Sequence, residues 1–545
     1  MSTVPDSKLQ RQPQSFAENA RRALVNRPLQ QALSIATGKA TSARHAAVAE
    51  VGAENWELLR KRAHAIKAQT INNLDFYLDK FSSNVERQGG HVFWAETADE
   101  ACDYIAELAH RHGLNEIVKS KSMMTEEIGL NHALAVAGIE AIETDLGEYI
   151  VQLAGERPSH INMPAIHKTR GDVADLFAEK LGVERTEEIP QMTALARRVL
   201  RARFAEAGMG LTGVNYAIAD TGTIVLVENE GNIRLTTSLP AVHVAVMGIE
   251  KVIPGLEDLD VFLKLLSRSA SGQKMTSYVS LLTGVKSSRA EEGPDEFHVV
   301  IVDNGRIKIL ADEHLRESLY CIRCGACLNV CPVYRKIGGH AYGWVYPGPI
   351  GAVLTPQMIG LDQAAALPFA SSLCGACGDV CPVKIKLPEM LLHLRHKVKE
   401  AEPPESRTHY HSKEDTSEAL GSLNGFRHKS ENSDGQSAWS RSRKRLSNVF
   451  EHLGFRLWAI AMTNSQRYQA AARLARLAQA VAGRRKANGP RVLPMPRWTA
   501  TRDLPPLARR SFREQWLESS GEPTGDMARQ DATHLKESQR AEQTP

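Results

Sequence analysis

Apolar residues recur at intervals of three and four through most of the first 88 residues, which predicts an N-terminal helical segment over residues 1–88. The stretches FAENARRALVNRPLQQAL and ENWELLRKRAHAIKAQTINNLDFYLDKF show this period. Beyond residue 88 the pattern changes to short apolar runs that alternate with amphipathic helices. Such alternation is typical of an open α/β sheet, so the predicted fold class is α/β.

The α/β pattern extends over residues 89–310. Its apolar runs predict strands at HVFW, NEIVKS, AVHVAVMG, SYVSLLTG and FHVVIVDN. A helix between the first two runs has Thr97 at its start and Gly113 at its end, the residue types expected there. The stretch VNYAIADTGTIVLVEN predicts two strands that turn at Asp220, Thr221 and Gly222.

A glycine pattern in this region matches the dinucleotide-binding motif G-x-G-x-x-G at Gly208, Gly210 and Gly213. That motif must follow a strand and open a helix whose N-terminus holds the pyrophosphate. Here it follows a predicted helix and precedes a predicted strand, so a helix C-cap and loop is the favoured interpretation. With no flavin or nicotinamide motif, hydride chemistry within this chain is not expected.

The C-terminal third is polar and then basic. Residues 401–446 are nearly devoid of aliphatic side chains, which predicts a disordered linker, and residues 521–545 predict a disordered tail. Between them, residues 447–520 predict a basic helical region. From Arg441 to Glu514 there are seventeen Lys and Arg but three Asp and Glu, whereas the whole chain carries a net charge of +4. The excess predicts a solvated helical face, or a docking surface for an acidic partner or an anionic lipid membrane; a nucleic-acid partner is not expected.

The N-terminal stretch MSTVPDSKLQRQPQSF lacks the pattern of a signal peptide, and no run of about 18 apolar residues occurs. Cysteine usage agrees with the cytoplasmic location that these features predict, because seven of the eight cysteines fall between Cys321 and Cys381. Clusters at gaps of two and three residues in a large chain are typical of metal ligands rather than disulfides.

The first cysteine motif, C-x-x-C-x-x-C-x-x-x-C-P, is the ferredoxin run, in which three cysteines hold one cubane and the fourth ligates another cluster. A second copy ends in the same way, so the sequence predicts a two-cluster, ferredoxin-type 4Fe–4S domain over residues 311–400. Structural zinc is the alternative. Cross-ligation predicts the following ligand sets: Cys321, Cys324, Cys327 and Cys381 for cluster 1, and Cys331, Cys374 and Cys377 for cluster 2.

The second copy is incomplete, because Ser371 stands where its first cysteine is expected. Three thiolates suit a [3Fe–4S] cluster, or a [4Fe–4S] cluster whose last iron binds water, Ser371 or a group from a partner. Cys102 is the one remaining cysteine, but its place on an apolar helix face predicts an ordinary buried thiol.

Other residues are weaker candidates. Polar residues beside predicted strand ends form an anion or acid/base site in one interpretation and solvated loops in the other: Glu126, Asp145, Glu148, His160 and His167. The turn at Asp220–Thr223 is either pocket-lining or simple turn chemistry. The loop GGHAYGWVYPGPIG either shields the clusters or fills space, and its candidate residues are His340, Tyr342, Trp344 and Tyr346.

The cysteine region, CIRCGACLNVCPVYRKIGGHAYGWVYPGPIGAVLTP followed by SSLCGACGDVCPVKI, resembles the lactate utilisation protein B family. The stretches KSKSMMTEEIGLNHAL and ETDLGEYIVQLAGERPSHINMPAIHKTR resemble the LUD domain of that family, and RVLPMPRWTATRDLPPLARRSFREQW resembles its end. The resemblance implies a CoA-transferase/ribose-phosphate-isomerase-like fold and a role in oxidising L-lactate to pyruvate. It also implies two partners, a CCG-type cysteine-rich subunit and a second LUD-domain protein. The long polar linker departs from the family pattern.

Three functions remain open from the sequence. The first is an electron-transfer subunit that passes electrons through two clusters to a further acceptor. The second is a regulatory or scaffold protein in which the LUD domain binds a metabolite and a labile cluster senses redox state. The third is an enzyme whose exposed iron acts as a Lewis acid on a hydroxy acid.

Overall fold

The computed structural model describes residues 16–287, 293–400, 453–482, 484–485, 491–492, 506–508 and 510–519. Described residues up to 400 belong to one compact unit, and those from 453 belong to a second. The predicted disordered linker (401–446) and tail (521–545) lie outside the described residues.

The first unit mixes helices and strands along the whole chain. Its helices are α1 (Phe16–Val25), α2 (Arg27–Val51), α3 (Ala53–Asn72), α4 (Leu74–Arg87), α5 (Ala98–Arg111), α6 (Met123–Glu127), α7 (Leu130–Val136), α8 (Leu146–Leu153), α9 (Arg170–Leu181), α10 (Ile189–Glu206), α11 (Asn232–Ser238), α12 (Leu256–Ala270), α13 (Arg306–Ala311), α14 (Ala326–Val330), α15 (Tyr334–Ile337), α16 (Gly348–Met358), α17 (Ala376–Val380) and α18 (Leu387–Glu400). Its strands are β1 (His91–Ala95), β2 (Glu116–Lys119), β3 (Glu140–Glu143), β4 (Met209–Gly213), β5 (Tyr216–Ile218), β6 (Thr223–Glu228), β7 (Val242–Gly248), β8 (Val252–Ile253), β9 (Tyr278–Leu282) and β10 (Glu296–Val302).

Six parallel strands form the main sheet in the order β1-β10-β7-β4-β2-β3. Strand β7 is buried along its whole length, and its side chains alternate between two cores. Val244 and Val246 pack with Ile105 and Leu108 of α5, whereas Met247 faces the core shared with the N-terminal helices. A parallel strand covered on both faces needs a continuous apolar run, which is why AVHVAVMG and FHVVIVDN were readable as strands.

A second, four-stranded sheet has the order β8-β5-β6-β9. Strands β5 and β6 form an antiparallel hairpin in which Ile218 pairs with Thr223, so the predicted turn is confirmed. Helix α5 begins as predicted, since the Thr97 side chain accepts a hydrogen bond from the Glu100 backbone N–H at 3.2 Å.

The glycine-rich stretch GMGLTG is a strand, so the prediction of a C-cap and loop was wrong. Residues 209–213 form β4, in the interior of the main sheet. A Cβ atom at Gly210 would lie 1.8 Å from the Thr236 carbonyl oxygen of α11. The glycine is therefore needed for close packing of α11 on the sheet. Strand β5 rather than a helix follows β4, so the arrangement that holds a pyrophosphate is not formed.

The N-terminal helices join the two sheets to the cysteine module (residues 311–400). Helix α2 packs against α14 and α15 of this module, and both α2 and α3 pack against α12. The Arg60 side chain of α3 donates hydrogen bonds to the carbonyl oxygens of Cys381 (2.9 Å) and Asp379 (2.9 Å). The helices thus belong to the core that positions the cysteines.

A buried ion-pair network connects the α/β domain with the cysteine module. Arg306 binds both carboxylate oxygens of Glu127 at 2.8 Å, and its Nε lies 2.6 Å from Glu250 Oε2. From the cysteine module, Arg323 Nη2 reaches Glu250 Oε1 at 3.3 Å and Tyr346 donates to Glu127 Oε2 at 2.6 Å. Burial opposes ionisation of Glu250, but Arg306 and Arg323 outweigh it and lower its pKa to about 2.

The second unit is helical over most of its described residues, as predicted. It contains a helix at residues 453–462, then α19 (Ser465–Ala482) and α20 (Phe512–Ser519), with a short antiparallel pair, β11 (Arg484–Arg485) and β12 (Arg491–Val492). Several large apolar side chains of these helices are exposed: Leu453, Leu457, Ile460, Leu474, Leu477 and Val481. None of the helices in the described ranges is long and apolar enough to cross a membrane.

The substitution Gly210→Ala tests the close approach of α11 to β4. We expect it to lower the free energy of unfolding by about 3 kcal/mol, because the new Cβ collides with backbone rather than with a flexible side chain. Chemical denaturation under anaerobic conditions measures this. Gly38→Ala is the control, since its Cβ would meet only Arg335 Nη2 at 3.7 Å. Equal stability of the two variants would contradict the packing described.

The substitution Arg306→Met tests the buried network. It leaves Glu127 and Glu250 without their main partner, so we expect a loss of about 3–5 kcal/mol in the free energy of unfolding. Arg203→Met provides the matched control, because Arg203 forms a partly exposed pair with Glu116 worth no more than about 1 kcal/mol. A similar loss in both variants would show that the network does not connect the two parts of the fold.

Candidate metal centre

The two cysteine motifs form backbone loops with the same conformation. Arg323 and Gly325 have φ angles of +58° and +73°, and Leu373 and Gly375 have φ angles of +55° and +85°. Left-handed conformations in non-glycine residues cost about 1–2 kcal/mol each, so their recurrence at matching positions indicates a constraint of the site. The match also places Ser371 at the position of Cys321, since each precedes its left-handed residue by two.

The structure brings the cysteines together across the two motifs. Burial raises the pKa of the Cys324 thiol, and the neighbouring Cys381 and Cys321 thiols raise it further. Burial likewise raises the pKa of Cys377 to about 12, and Cys331 is the thiol that acts on it most strongly. The last cysteine of each motif therefore lies beside the early cysteines of the other.

Backbone N–H groups point at several of the sulfurs. Arg323 N lies 3.4 Å from Cys321 Sγ, Tyr334 N lies 3.5 Å from Cys331 Sγ, and Ile385 N lies 3.4 Å from Cys381 Sγ. Hydrogen bonds to the charged form of a thiol favour thiolate, the form that binds metal. The last two donors follow the C-P pairs by two or three residues, where the chain turns back over its own cysteine.

Cations from outside the cysteine module lie near the thiols of Cys321, Cys324 and Cys381. Arg44 of α2 is buried, donates to the Val380 carbonyl oxygen at 3.1 Å and is attracted by Cys324 and Cys381. Lys67 of α3 is fully buried, and burial lowers its pKa to about 7 despite attraction by Glu250 and Cys321. Sequence reasoning missed these residues, because their positions on amphipathic helices gave no indication that they lie near cysteines more than 250 residues later in the chain.

Several buried hydrogen-bond donors next to the thiols have no partner among the described residues. They are Arg44 Nε, Arg323 Nη1, Tyr216 Oη and Tyr342 Oη. Burial raises the pKa of both tyrosines, and the thiols that act on them are Cys324 and Cys321 for Tyr216 and Cys331 and Cys327 for Tyr342. Unpaired buried donors are costly. The sulfur atoms of iron–sulfur clusters would accept from them, so the residues present fit such groups.

The second group of cysteines, formed by Cys331, Cys374 and Cys377, is exposed to solvent at Cys374. Cys374 is exposed, and hydrogen bonds from the Ala376 backbone and the Ser372 hydroxyl lower the pKa of its thiol. The Ser371 hydroxyl accepts from the Leu373 backbone N–H at 3.1 Å, and Arg395 Nη2 donates to the Ser371 carbonyl oxygen at 2.9 Å. Ser371 is therefore held by the loop itself.

Cys102 lies in the other core, far along the chain from these loops. It is buried in α5, where its Sγ donates to the Ile128 carbonyl oxygen at 3.5 Å. Burial raises the pKa of its thiol to about 12. A neutral, buried thiol of this kind is a packing residue.

The aromatic loop between the motifs divides into two pairs. Tyr342 and Tyr346 are buried, and the Tyr342 ring packs 5.8 Å from that of Phe16. His340 and Trp344 instead line a cavity of about 1480 Å³ against the α/β domain, and His340 Nε2 lies 2.6 Å from the Arg157 carbonyl oxygen.

The candidate residues at the sheet edge have different roles. His160 is fully buried, bonds Asn329 Oδ1 at 3.2 Å and has its pKa lowered by burial to about 3, so it is a neutral structural residue. Asp145 caps α8 by accepting from the Gly147 and Glu148 backbone. Asp220 pairs with Lys80 at 2.6 Å on the surface. The remaining three line the 1480 Å³ cavity: Glu126, Glu148 and His167.

Comparison with known families finds matches in three parts of the chain. The model described as LUD domain matches residues 78–302, the 4Fe-4S dicluster domain matches residues 317–385, and the C-terminal model of lactate utilisation protein B matches residues 426–520. A solved DUF162 family protein from Deinococcus radiodurans is 15% identical, with a TM-score of 0.24, and the match covers 42% of this chain and 98% of that one.

Curated relatives match over most of the chain. Lactate utilization protein B of Oceanobacillus iheyensis is 42% identical over 92% of this chain and 96% of its own length. The proteins of the same name from Shouchella clausii and Bacillus licheniformis are 49% and 48% identical, each over 71% of this chain and 81% of their own length. This chain, with its LUD domain, its iron–sulfur dicluster domain and its characteristic C-terminal region, belongs to the lactate utilisation protein B family.

Proposed function

We propose that this chain is an electron-transfer component of a system that oxidises L-lactate to pyruvate, with two iron–sulfur clusters held by crossed ligands. The proposed ligands of cluster 1 are Cys321, Cys324, Cys327 and Cys381, and those of cluster 2 are Cys331, Cys374 and Cys377. Iron–sulfur clusters accept and release single electrons. The observation that carries the proposal is the crossing itself, in which Cys381 neighbours the first motif and Cys331 neighbours the second.

The surroundings of the cysteines support this assignment. Buried cations such as Arg44 and Arg323 reduce the cost of placing thiolates and an anionic cluster in the interior. The orphan donors described above would complete their hydrogen bonds on sulfur. The match of residues 317–385 to a 4Fe-4S dicluster domain favours iron–sulfur clusters over the structural-zinc alternative.

We propose that the open side of the second group, at Cys374, is where electrons enter or leave. Its exposure contrasts with the burial of Cys324 and Cys331. The proposed partners are a CCG-type cysteine-rich subunit, a second LUD-domain protein and a further acceptor. We also propose that the basic C-terminal region supplies peripheral contact with a membrane or an acidic partner.

A second candidate function rests on the same exposure. A cluster with three thiolates and an accessible side loses iron readily, which suits a redox-sensing regulator or scaffold. Ser371 favours this candidate, because it stands where the first motif has Cys321 and so leaves the second motif with one thiolate fewer.

Anaerobic purification followed by iron and sulfide counting and EPR separates these candidates. Electron transfer predicts about seven or eight irons per chain and reduction by lactate only when the partner proteins are added. Zinc in place of iron would overturn the iron–sulfur proposal. Full lactate oxidation by the chain alone would remove the role of a subunit.

The substitution Cys381→Ala tests the crossed ligands. We expect it to remove the EPR signal of the cluster held by the first motif while leaving that of the three-cysteine group. Cys331→Ala should do the reverse, and Cys102→Ala should retain both. Loss of the second-motif cluster alone in Cys381→Ala would show that each motif ligates its own cluster.

The substitution Arg44→Gln tests the role of α2. A cation stabilises the more negative, reduced cluster, so its loss should shift the midpoint potential of cluster 1 to a more negative value. Redox titration monitored by EPR measures the shift. Arg62→Gln is the matched control, because Arg62 on the neighbouring helix is exposed and lies 3.9 Å from Asp258. Equal potentials in both variants would contradict tuning by Arg44.

A further inference from the structure

The carboxyl ends of β2 and β3 meet in a buried cluster of charged side chains that the cysteine centre does not use. Lys119 ends β2, and its Nζ lies 2.7 Å from Glu143 Oε1 at the end of β3 and 3.3 Å from Glu126 Oε1. Glu148, on α8, lies in the same cluster. Ligands of open α/β sheets bind beyond the carboxyl ends of the strands.

This cluster contains acceptors without donors. The Glu148 side chain is 3% exposed and makes no hydrogen bond within the described part of the chain, and its Oε1 is fully buried. Glu143 Oε2 and Asn131 Oδ1 are also buried without a partner. Asn131 Nδ2 donates to Glu143 Oε1 at 2.8 Å, which fixes the amide so that its oxygen is the free atom.

The three residues that carry the unpaired acceptors line a shared space. Asn131, Glu143 and Glu148 all line the cavity of about 1480 Å³ that reaches the aromatic loop. Burying an unpaired carboxylate is costly, and burial together with Glu126 and Glu143 raises the pKa of Glu148 well above its usual range. A positively charged ligand in the cavity would relieve this cost.

Charge balance indicates the valence of the ligand. A bound cation would favour the ionised form of Glu126, Glu143 and Glu148, and with all three ionised the one fully buried ammonium of Lys119 leaves two negative charges. The next cation, Lys121, is half-buried and acts on Glu148 through its charge alone. A divalent ion matches this excess.

We propose that Glu143, Glu148 and Asn131 form a binding site for a divalent cation of the Mg²⁺ or Mn²⁺ class. The three free atoms are carboxylate and amide oxygens, the hard ligands that these ions prefer over nitrogen and sulfur. Mg²⁺ is commonly held by one or two carboxylates and several waters, and the cavity has room for those waters. Lys119 positions the site by holding Glu143.

Another set of side chains in the described residues has donor atoms closer together, within 4.8 Å: Asp312, His314 and His393. Its geometry is unsuitable, because the two imidazole rings stack in parallel at 4.3 Å and their lone pairs do not converge. Asp312 is also paired with Lys397. The sheet-edge cluster has unpaired oxygens instead, so it carries the proposal.

Titration of the anaerobically purified protein with Mn²⁺, followed by room-temperature EPR of free Mn²⁺, tests the site. We expect one Mn²⁺ per chain, displaced by Mg²⁺. Glu148→Gln and Glu143→Gln should each weaken Mn²⁺ binding by at least about tenfold. Iron content and melting temperature, measured on each variant, verify that the chain is folded and its clusters are retained.

Glu126→Gln is the matched control, because it removes one charge from the same cluster without removing a proposed ligand. It should weaken binding by no more than about threefold. Equal losses in Glu126→Gln and Glu148→Gln would reduce the site to a general negative field and overturn the proposal. Failure of the native protein to bind Mn²⁺ at millimolar concentration would also overturn it.

Discussion

Thiols that must lose their protons to bind iron lie mostly in the interior, where an uncompensated thiolate costs several kcal/mol. Much of the first unit is arranged to offset that cost. Backbone N–H groups of the motif loops approach the sulfurs, and Arg44 and Lys67 bring positive charge from helices more than 250 residues earlier in the chain. The N-terminal helices are therefore part of the cysteine centre, although none of the proposed metal ligands lies in them.

The same constraint couples the two halves of the first unit. Arg323 lies inside the first cysteine motif, yet its guanidinium contacts Glu250 of the α/β domain and stacks 4.7 Å over the Tyr346 ring. Arg306 completes the network from the end of the main sheet. A buried charge is stable only when its partners stay in place. A displacement of Glu250 would therefore disturb Arg323, whose backbone N–H approaches Cys321 Sγ.

The cavity at the sheet edge brings the two chemistries together. The residues that line it include the acidic Glu143 and Glu148 and the basic His167, Lys168 and His340. Two side chains of the aromatic loop, Tyr342 and Tyr346, are buried, whereas Trp344 of the same loop lines the cavity. A ligand in this cavity would lie between the LUD domain and the cysteine module.

The sequence by itself determined the α/β class, the hairpin at Asp220–Gly222, four of the six strands of the main sheet and the seven cysteines as ligand candidates. Each depends on local information: continuous apolar runs, turn residues and the spacing of a motif. It misassigned GMGLTG, because the need for Gly210 lies in the contact with Thr236, which is distant in sequence until α11 folds back. The crossing of Cys331 and Cys381 was predictable only because the motif is doubled.

Tertiary structure alone decided which charges matter. Glu148 and Glu126 are similar in their sequence context. Within the described residues, however, Glu148 has no hydrogen-bond partner for its buried Oε1, whereas Glu126 pairs with Lys119. Arg44 and Arg62 are both helical arginines, but only the first is buried beside the thiols. Burial and partnership are set by packing between segments far apart in the chain, and no local pattern encodes them.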